Sequence, residues 1–320
     1  MCSRKRLGRS LMALQLISTP SESSSTARMQ STARNLTVVV CTFSCCVLLQ
    51  DATKRHAYLN AFSTVPQSAK YGVNRFSDLS QQEFRDLYLR VSADGAPLFS
   101  GLKTEGFPDK FDWRDKAVVA PVQNQEGCGS CWAFSVVGAT QSVHAIGGSQ
   151  LELLSVQQVL DCSFRNKGCS GGSTVQALKW LKQTRVKLVP QSEYPYKAKT
   201  GICHLFSQSH GGVAVKNFTA HDFSGQEEAM IGHLVERGPL AAIVDAVSWQ
   251  DYLGGIIQHH CSSQWSNHAV LLVGYNTVGD IPYWIVQNSW GTTWGNEGYV
   301  YIKIGGNLCG IADSVAAVFL

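Results

Sequence analysis

The hydrophobic period changes midway along the chain, and that change limits the possible folds more than any single motif does. Ala133, Phe134, Val136, Val137, Ala139 and Val143 space as the apolar side of a helix that Gly147-Gly148 ends. Ser155 caps a second helical run with Gln158 at its third position, and Val175, Leu178 and Leu181 form a third helical face. Later residues read instead as short apolar runs, Leu240–Val244, Ala269–Tyr275, Tyr283–Val286 and Tyr299–Ile304, parted by Gly, Asn and Asp turns. Helices first and strands afterwards predict an α+β chain whose two halves have separate cores. With 320 residues there is ample apolar material for both. A seam between two such halves is a common place for a binding cleft.

The reactive groups fit that division. In Gln125-Glu126-Gly127-Cys128-Gly129-Ser130-Cys131-Trp132-Ala133-Phe134-Ser135, two glycines free the backbone just before the first helix, so Cys131 falls in its first turn. A thiol there faces unsatisfied N–H groups and the positive end of the helix dipole, which favour thiolate. The needed imidazole comes from Asn267-His268-Ala269, where a histidine opens an apolar β-branched run and is held by a rigid strand. Asn288, in Gln287-Asn288-Ser289-Trp290-Gly291, follows another strand-like run. Cys, His and Asn stand 137 and then 20 residues apart, the order and approximate spacing of papain-type thiol proteases.

In these residues the sequence resembles the papain family of cysteine proteases from Phe107 to Leu320, with a partial match from about Lys54. The motifs that carry the resemblance are Gln125 with Cys128-Gly129-Ser130-Cys131-Trp132-Ala133-Phe134, Gly168-Cys169-Ser170-Gly171-Gly172, Asn267-His268-Ala269, and Asn288-Ser289-Trp290-Gly291 with Trp294-Gly295 and Gly298-Tyr299. It implies a papain-like two-lobed fold with a helical left lobe, about residues 116–217, and a β-barrel-like right lobe, about 107–115 and 218–320. A prosegment and linker are expected over 51–106, carrying the motif Gly72, Asn74, Phe76 and Asp78, with cleavage within Leu102 to Gly106.

The same resemblance implies the roles. Cys131 is the nucleophile, His268 its base in a thiolate–imidazolium pair, and Asn288 orients the ring through its side-chain oxygen. Gln125 joins the Cys131 N–H in an oxyanion hole, and Trp290 shields the His268–Asn288 contact from water. Gly171 and Gly172 pair with an extended peptide, while Thr174, Ile243, Ala269 and Ser314 line the pocket for the second residue before the scissile bond. None of the four is charged, so a bulky apolar side chain is expected there. The expected activity is that of an endopeptidase on proteins and peptides, synthesised as a zymogen restrained by its own prosegment and open to cystatin-like inhibitors. A monomer in the lysosome, also secreted, is the expected setting.

Seven of the 11 cysteines lie in the body, and an odd number in an oxidising compartment suggests three disulfides and one free thiol. Spacing leaves the pairing open. The resemblance implies Cys128–Cys169, Cys162–Cys203 and Cys261–Cys309, with Cys131 free. From Phe107 onward the chain carries 14 Lys and Arg against 16 Asp and Glu, whereas residues 1–106 carry 13 against 7. The basic excess thus belongs to the leading segment, and no nucleic-acid footprint marks the body. Leu36–Leu49 is the longest apolar run, 14 residues, short of the roughly 18 a membrane span needs. Residues 1–50 read as an atypical leader, disordered or from a mis-assigned start. Asn217-Phe218-Thr219 and Asn35-Leu36-Thr37 are glycosylation sequons, the former expected in an interdomain loop.

Other readings of the same residues are blander. Cys128-x-x-Cys131 has dithiol spacing but lacks a thioredoxin-like strand ahead of it. His259-His260-Cys261 offers adjacent ligands without the paired CxxC order of a structural zinc site, so neither metal nor cofactor is expected. A papain-fold protein kept for binding, or acyl transfer by the same Cys-His pair, stands as the alternative to hydrolysis.

Overall fold

The computed structural model describes residues 43–63, 65–92, 94–101, 106–204 and 211–320. The expectations for residues 1–42, including the Asn35 sequon, and for 102–105 of the cleavage window lie outside the described residues. Among the described residues six α-helices run Phe43–Asn60 (α1), Gln81–Tyr88 (α2), Cys131–Ile146 (α3), Val156–Cys162 (α4), Thr174–Thr184 (α5) and Ala229–Arg237 (α6). The strands are Lys70–Tyr71 (β1), Lys110–Asp112 (β2), Lys187–Leu188 (β3), Val213–Ala214 (β4), Asn217–His221 (β5), Leu240–Val244 (β6), Tyr252–Gly254 (β7), Ile256–Ile257 (β8), His268–Asn276 (β9), Tyr283–Gln287 (β10), Tyr299–Lys303 (β11) and Val315–Phe319 (β12).

The main sheet has the order β5-β12-β6-β9-β10-β11-β8, with β2 also paired to β9. Every residue of β9 but the last is buried, because the strand is covered on both faces. Val270, Leu272 and Tyr275 enter one apolar core with Trp249, Trp284 and Trp290, while Leu271 and Val273 enter the other with Trp132, Val136 and Leu178. Tyr275 keeps company with Leu272 because β10 pairs Ile285 with Gly274 but Val286 with Leu272, so one residue bulges out and the alternation shifts. The two separate cores expected from the sequence are present, and they lie against opposite faces of the shared strand β9. α3 lies against β9, where Ser135 Oγ donates to the Val270 carbonyl (2.7 Å) and a Cβ on Gly138 would meet Leu271 at 3.1 Å. The seam between the lobes is therefore a helix seated directly on a strand.

Helix starts follow their caps. Ser80 and Glu83 satisfy each other's backbone N–H at the start of α2, a complete capping box. Ser155 accepts from the Gln158 N–H, but the Gln158 side chain does not close the box. It donates to the Lys187 carbonyl (3.0 Å) and accepts from the Val189 N–H (2.9 Å), pinning the turn after β3.

The N-terminal segment departs from the sequence reading in two places. Tyr58, Leu59 and Phe62 suggest in sequence the start of a weak helical pattern, but the helix ends there: α1 spans Phe43–Asn60 and runs through the boundary drawn after Gln50. Its inner face consists of Ala52 and Leu59 with Arg55 and His56 between them, and stems of charged residues do not register as hydrophobic periodicity. Tyr71 to Phe76 reads in sequence as a short strand, yet the strand stops at Tyr71, because Asn74 Oδ1 accepts from the Phe76 N–H (2.9 Å) and turns the chain.

The linker docks on the sheet edge. Leu98 bridges Asp222, and the Phe99 ring sits 4.6 Å from Phe223, 5.0 Å from His233 and 5.6 Å from His221 between centroids. Burial lowers the pKa of His233 from 6.5, assisted by His221 and Arg237, against the Ala229 backbone and Glu236. A docked state with a depressed histidine is favoured above the ordinary value and weakens as pH falls through it. Proteolysis of the linker is therefore expected to be faster at pH 5 than at pH 7, and His233→Phe should flatten that dependence; equal cleavage rates at both values would remove the link.

Candidate active site

Gln125, Cys131, His268, Asn288 and Trp290 converge in the seam, and all five are buried. Gln125 is fixed from several sides. Its Oε1 accepts from Ser289 Oγ (2.7 Å) and Trp290 Nε1 (3.2 Å), and since an indole nitrogen only donates, the amide's orientation is settled. Nε2 is thereby turned to the Cys128 carbonyl (2.9 Å) and the Tyr88 carbonyl (3.3 Å). Tyr196 Oη donates to the Gln125 carbonyl (2.8 Å) and meets Ser130 Oγ (2.7 Å), bracing the loop ahead of α3.

Cys131 is the first residue of α3 and a free cysteine. The structure closes Cys128–Cys169, Cys162–Cys203 and Cys261–Cys309, so Cys128 forms no dithiol with Cys131. The first of these ties the loop before α3 to the turn carrying Gly171 and Gly172. Around the sulfur stand the backbone N–H groups of Ala269, Trp132, Arg90 and Cys131 itself. Ala269 adjoins His268 in β9, which brings strand and helix together at that atom.

His268 opens β9 on the face that Val270 and Leu272 share. Its Nε2 lies 2.8 Å from Asn288 Oδ1. The Ser289 N–H also donates to that atom (2.8 Å), which identifies it as the oxygen, so Nε2 carries the proton and Nδ1 is the bare nitrogen. Trp290 lies over the ring at 4.7 Å and Trp249 stands edge-on at 6.3 Å. These indoles keep water from the His268–Asn288 contact.

The N-terminal segment covers the seam. Arg90 O accepts from Gly172 N (3.1 Å), Ser92 N donates to Gly172 O (2.9 Å), and Val91 N donates to Asn267 O (3.1 Å). A Cβ on Gly171, which has φ +114°, would strike the Arg90 carbonyl, so only glycine admits a chain this close. Phe76, Phe84 and Tyr88 pack edge-on against Trp290 at 5.4, 5.2 and 6.1 Å. Within the motif Gly72, Asn74, Phe76 and Asp78, Gly72 N donates to Asp251 O (2.9 Å) and Asn74 Nδ2 to Gln250 O (2.9 Å). Phe76 is the buried wedge, and Asp78 lies partly exposed on the turn after it.

Burial pushes the Cys131 thiol up to about 11, over the opposing pull of its backbone donors. Burial likewise takes His268 down to about 4, against the Asn288 contact and the Tyr88 backbone. In the covered chain burial thus favours the neutral thiol and the neutral ring over the thiolate–imidazolium pair expected of the site.

Of the expected pocket residues, Ile243 and Ala269 are cross-strand partners and Ile243 N donates to Ser314 O (3.2 Å), so these three adjoin. Thr174 starts α5, and all four are buried. Asn217 is exposed at the start of β5, the edge strand, rather than in a loop. His259 and His260 pack on Phe62, 5.9 and 4.8 Å away, and His260 on Tyr58 at 4.8 Å. Sequence reasoning missed Tyr88, Tyr196 and Trp249. Tyr88 acts through a backbone carbonyl, which has no residue signature, and the other two arrive from distant segments.

Residues 107–319 match the model of the papain family cysteine protease, and the chain belongs to the papain family of cysteine proteases. It is a cysteine endopeptidase synthesised as a zymogen. Among its relatives, cathepsin O of Homo sapiens is 54% identical over 277 residues, spanning 85% of this chain and 86% of that one. Cathepsin O of Mus musculus is 56% identical over 277 residues, spanning 85% and 89%. The solved structure of the digestive procathepsin L2 proteinase from Tenebrio molitor larval midgut superposes with a TM-score of 0.78 at 30% identity, covering 90% of this chain and 96% of that one. Coverage of that extent takes in the N-terminal segment as well as the body. No helix among the described residues is long and apolar enough to cross a membrane.

Proposed function

We propose that Cys131 attacks the scissile carbonyl of a peptide held across the seam, with His268, Asn288 and Gln125 in supporting roles. The observation that carries this is the convergence on one point of a free thiol at a helix N-terminus, an imidazole whose bare Nδ1 is set by Asn288, and an amide N–H turned by two donors. Once the seam is wetted, transfer of the thiol proton to Nδ1 gives thiolate and imidazolium. Sulfur then adds to the carbonyl carbon, and the negative oxygen is met by the Gln125 amide and the Cys131 N–H. The imidazolium returns its proton to the leaving amine as the C–N bond breaks, leaving a thioester. Water, deprotonated by the same ring, opens the thioester and restores the thiol.

In the covered chain the Tyr88 carbonyl takes the Gln125 hydrogen that the reacting oxygen would take. Gln125→Ala should lower kcat/KM by about 10²–10³ with little change in KM, the usual cost of one oxyanion donor. Peptide kinetics check this, and an unchanged kcat would remove Gln125 from the mechanism.

Gly171 and Gly172 would receive the substrate main chain where Arg90 to Ser92 now lie, and Thr174, Ile243, Ala269 and Ser314 would form the pocket for the second residue before the bond. An uncharged pocket predicts a graded preference for large apolar side chains, about 1–3 kcal/mol per methylene. A peptide-library profile dominated there by Arg or Asp would contradict the assignment. The same reading makes Asn217 a glycan site, a cystatin-like wedge a fitting inhibitor, and a lysosomal monomer the working form. The exposure of Asn217 on an edge strand supports glycosylation.

A further inference from the structure

Asp251 is a buried carboxylate in the catalytic body whose side-chain contacts all come from the N-terminal segment. Arg55 Nε donates to its Oδ2 (2.9 Å), His56 Nε2 lies 3.2 Å from Oδ1, and Ser77 Oγ donates to Oδ1 (3.0 Å). Its neighbour Gln250 is equally committed, with Nε2 donating to the Phe76 and Leu79 carbonyls (2.9 and 2.8 Å). Gln250 Oε1 is buried and makes no hydrogen bond, an acceptor left over. Together they border a cavity of about 560 Å³ closed on one side by α1 and α2 and on the other by Asp245, Ser248, Trp265 and Asn267. Trp265 is 71% exposed, an aromatic wall open to solvent.

Cleavage takes Arg55, His56 and Ser77 away together and strips the body of every cation that faces Asp251 from the segment. What remains is a carboxylate that held one guanidinium N–H, an unpaired amide oxygen that Arg55 does not use, and a second carboxylate, Asp245, nearby. The cavity's position says which part of a ligand reaches it. Arg90 to Ser92 pair with Gly172 on one side of Cys131, Tyr88 meets Gln125 at the centre, and Gln81, Arg85 and Leu89 cover the cavity beside Asn267. Relative to the glycine pair, the cavity lies past the reacting point, where the portion of a peptide after the scissile bond would run.

We propose that in the processed protein the surface around Gln250 and Asp251 docks an arginine side chain carried by the substrate after the scissile bond, in the place Arg55 holds in the zymogen. This rests on the peptidase reading above for the direction of the substrate. The proposal fits a guanidinium better than an ammonium, since Asp251 and the free Gln250 oxygen offer several acceptors to a planar donor fork.

The test uses chain activated by linker cleavage and freed of its N-terminal segment, with peptides of one sequence carrying arginine or uncharged citrulline at each of the positions after the bond. At one position the arginine peptide should be cleaved with about tenfold higher kcat/KM, mostly through KM, a step of the size that a desolvated charge pair supports. Asp251→Asn should bring that ratio toward one. No arginine preference at any position, or a preference that survives Asp251→Asn, would overturn the proposal. Should neither peptide be cleaved, the peptidase reading fails, and fluorescence anisotropy of the same peptides on the processed Cys131→Ala protein decides docking separately. Tighter binding of the arginine peptide by about tenfold supports the site, and equal binding ends it. Citrulline exchange changes only the ligand, so the result stands even if Asp251→Asn does not fold.

Discussion

Iodoacetamide is expected to label Cys131 at pH 7 about a thousandfold or more faster after the N-terminal segment has been removed than in the intact chain. The reason is electrostatic before it is steric. A buried thiol pushed up to about 11 and a buried ring taken down to about 4 make the neutral pair the favoured state of the covered chain, so little thiolate is present there at pH 7. Labelling of the intact chain should climb about tenfold per pH unit toward 11, while the processed chain should react across the acid and neutral range. Equal rates in the two forms would show that burial is not what silences the sulfur.

The same burial fixes how acid opens the zymogen. His268 has its pKa depressed from 6.5 to about 4 under the segment, so covering is fully supported above 6.5 and loses support as pH falls toward 4. Asp251 behaves differently: burial alone would raise its pKa, but the contacts and charges of His56 and Arg55 lower it below 3.8. Its hold on the segment is lost only as pH falls beneath that value. Between pH 6.5 and 4 the buried His268 ring therefore yields before the Asp251 contacts do.

The second large effect concerns the pair itself. In the processed enzyme, Cys131→Ala and His268→Ala should each cut kcat/KM by about 10⁴ or more, and the double variant should be no worse than either alone, as befits groups acting as one unit. Asn288→Ala should cost less, because it frees the ring's orientation without removing the base. Steady-state kinetics on one peptide series settles it; additive losses for Cys131 and His268 would mean that they do not work together.

Much of this was legible before the structure. The apolar run of β9 and the glycines before α3 placed His268 and Cys131 on rigid elements, and the capping box at Ser80 was written in two residues. Other features had no such mark. Arg55 and His56 count as polar in any periodicity, yet their stems and charges face inward to Asp251. The shift near Val273 depends on pairing with β10, and the cover over Gln125 is the carbonyl of Tyr88, an atom every residue possesses. Local chemistry is spelled by side chains, whereas the closure of the site is a contact between backbones far apart in sequence.

Peptide mapping after inactivation with an epoxide that alkylates cleft thiolates puts the central claim to its most direct trial. A single adduct on Cys131 of the processed protein is expected, abolished by Cys131→Ala and slowed at least about a hundredfold by His268→Ala. An adduct on any other residue, or Cys131 recovered in a disulfide from active material, would contradict it.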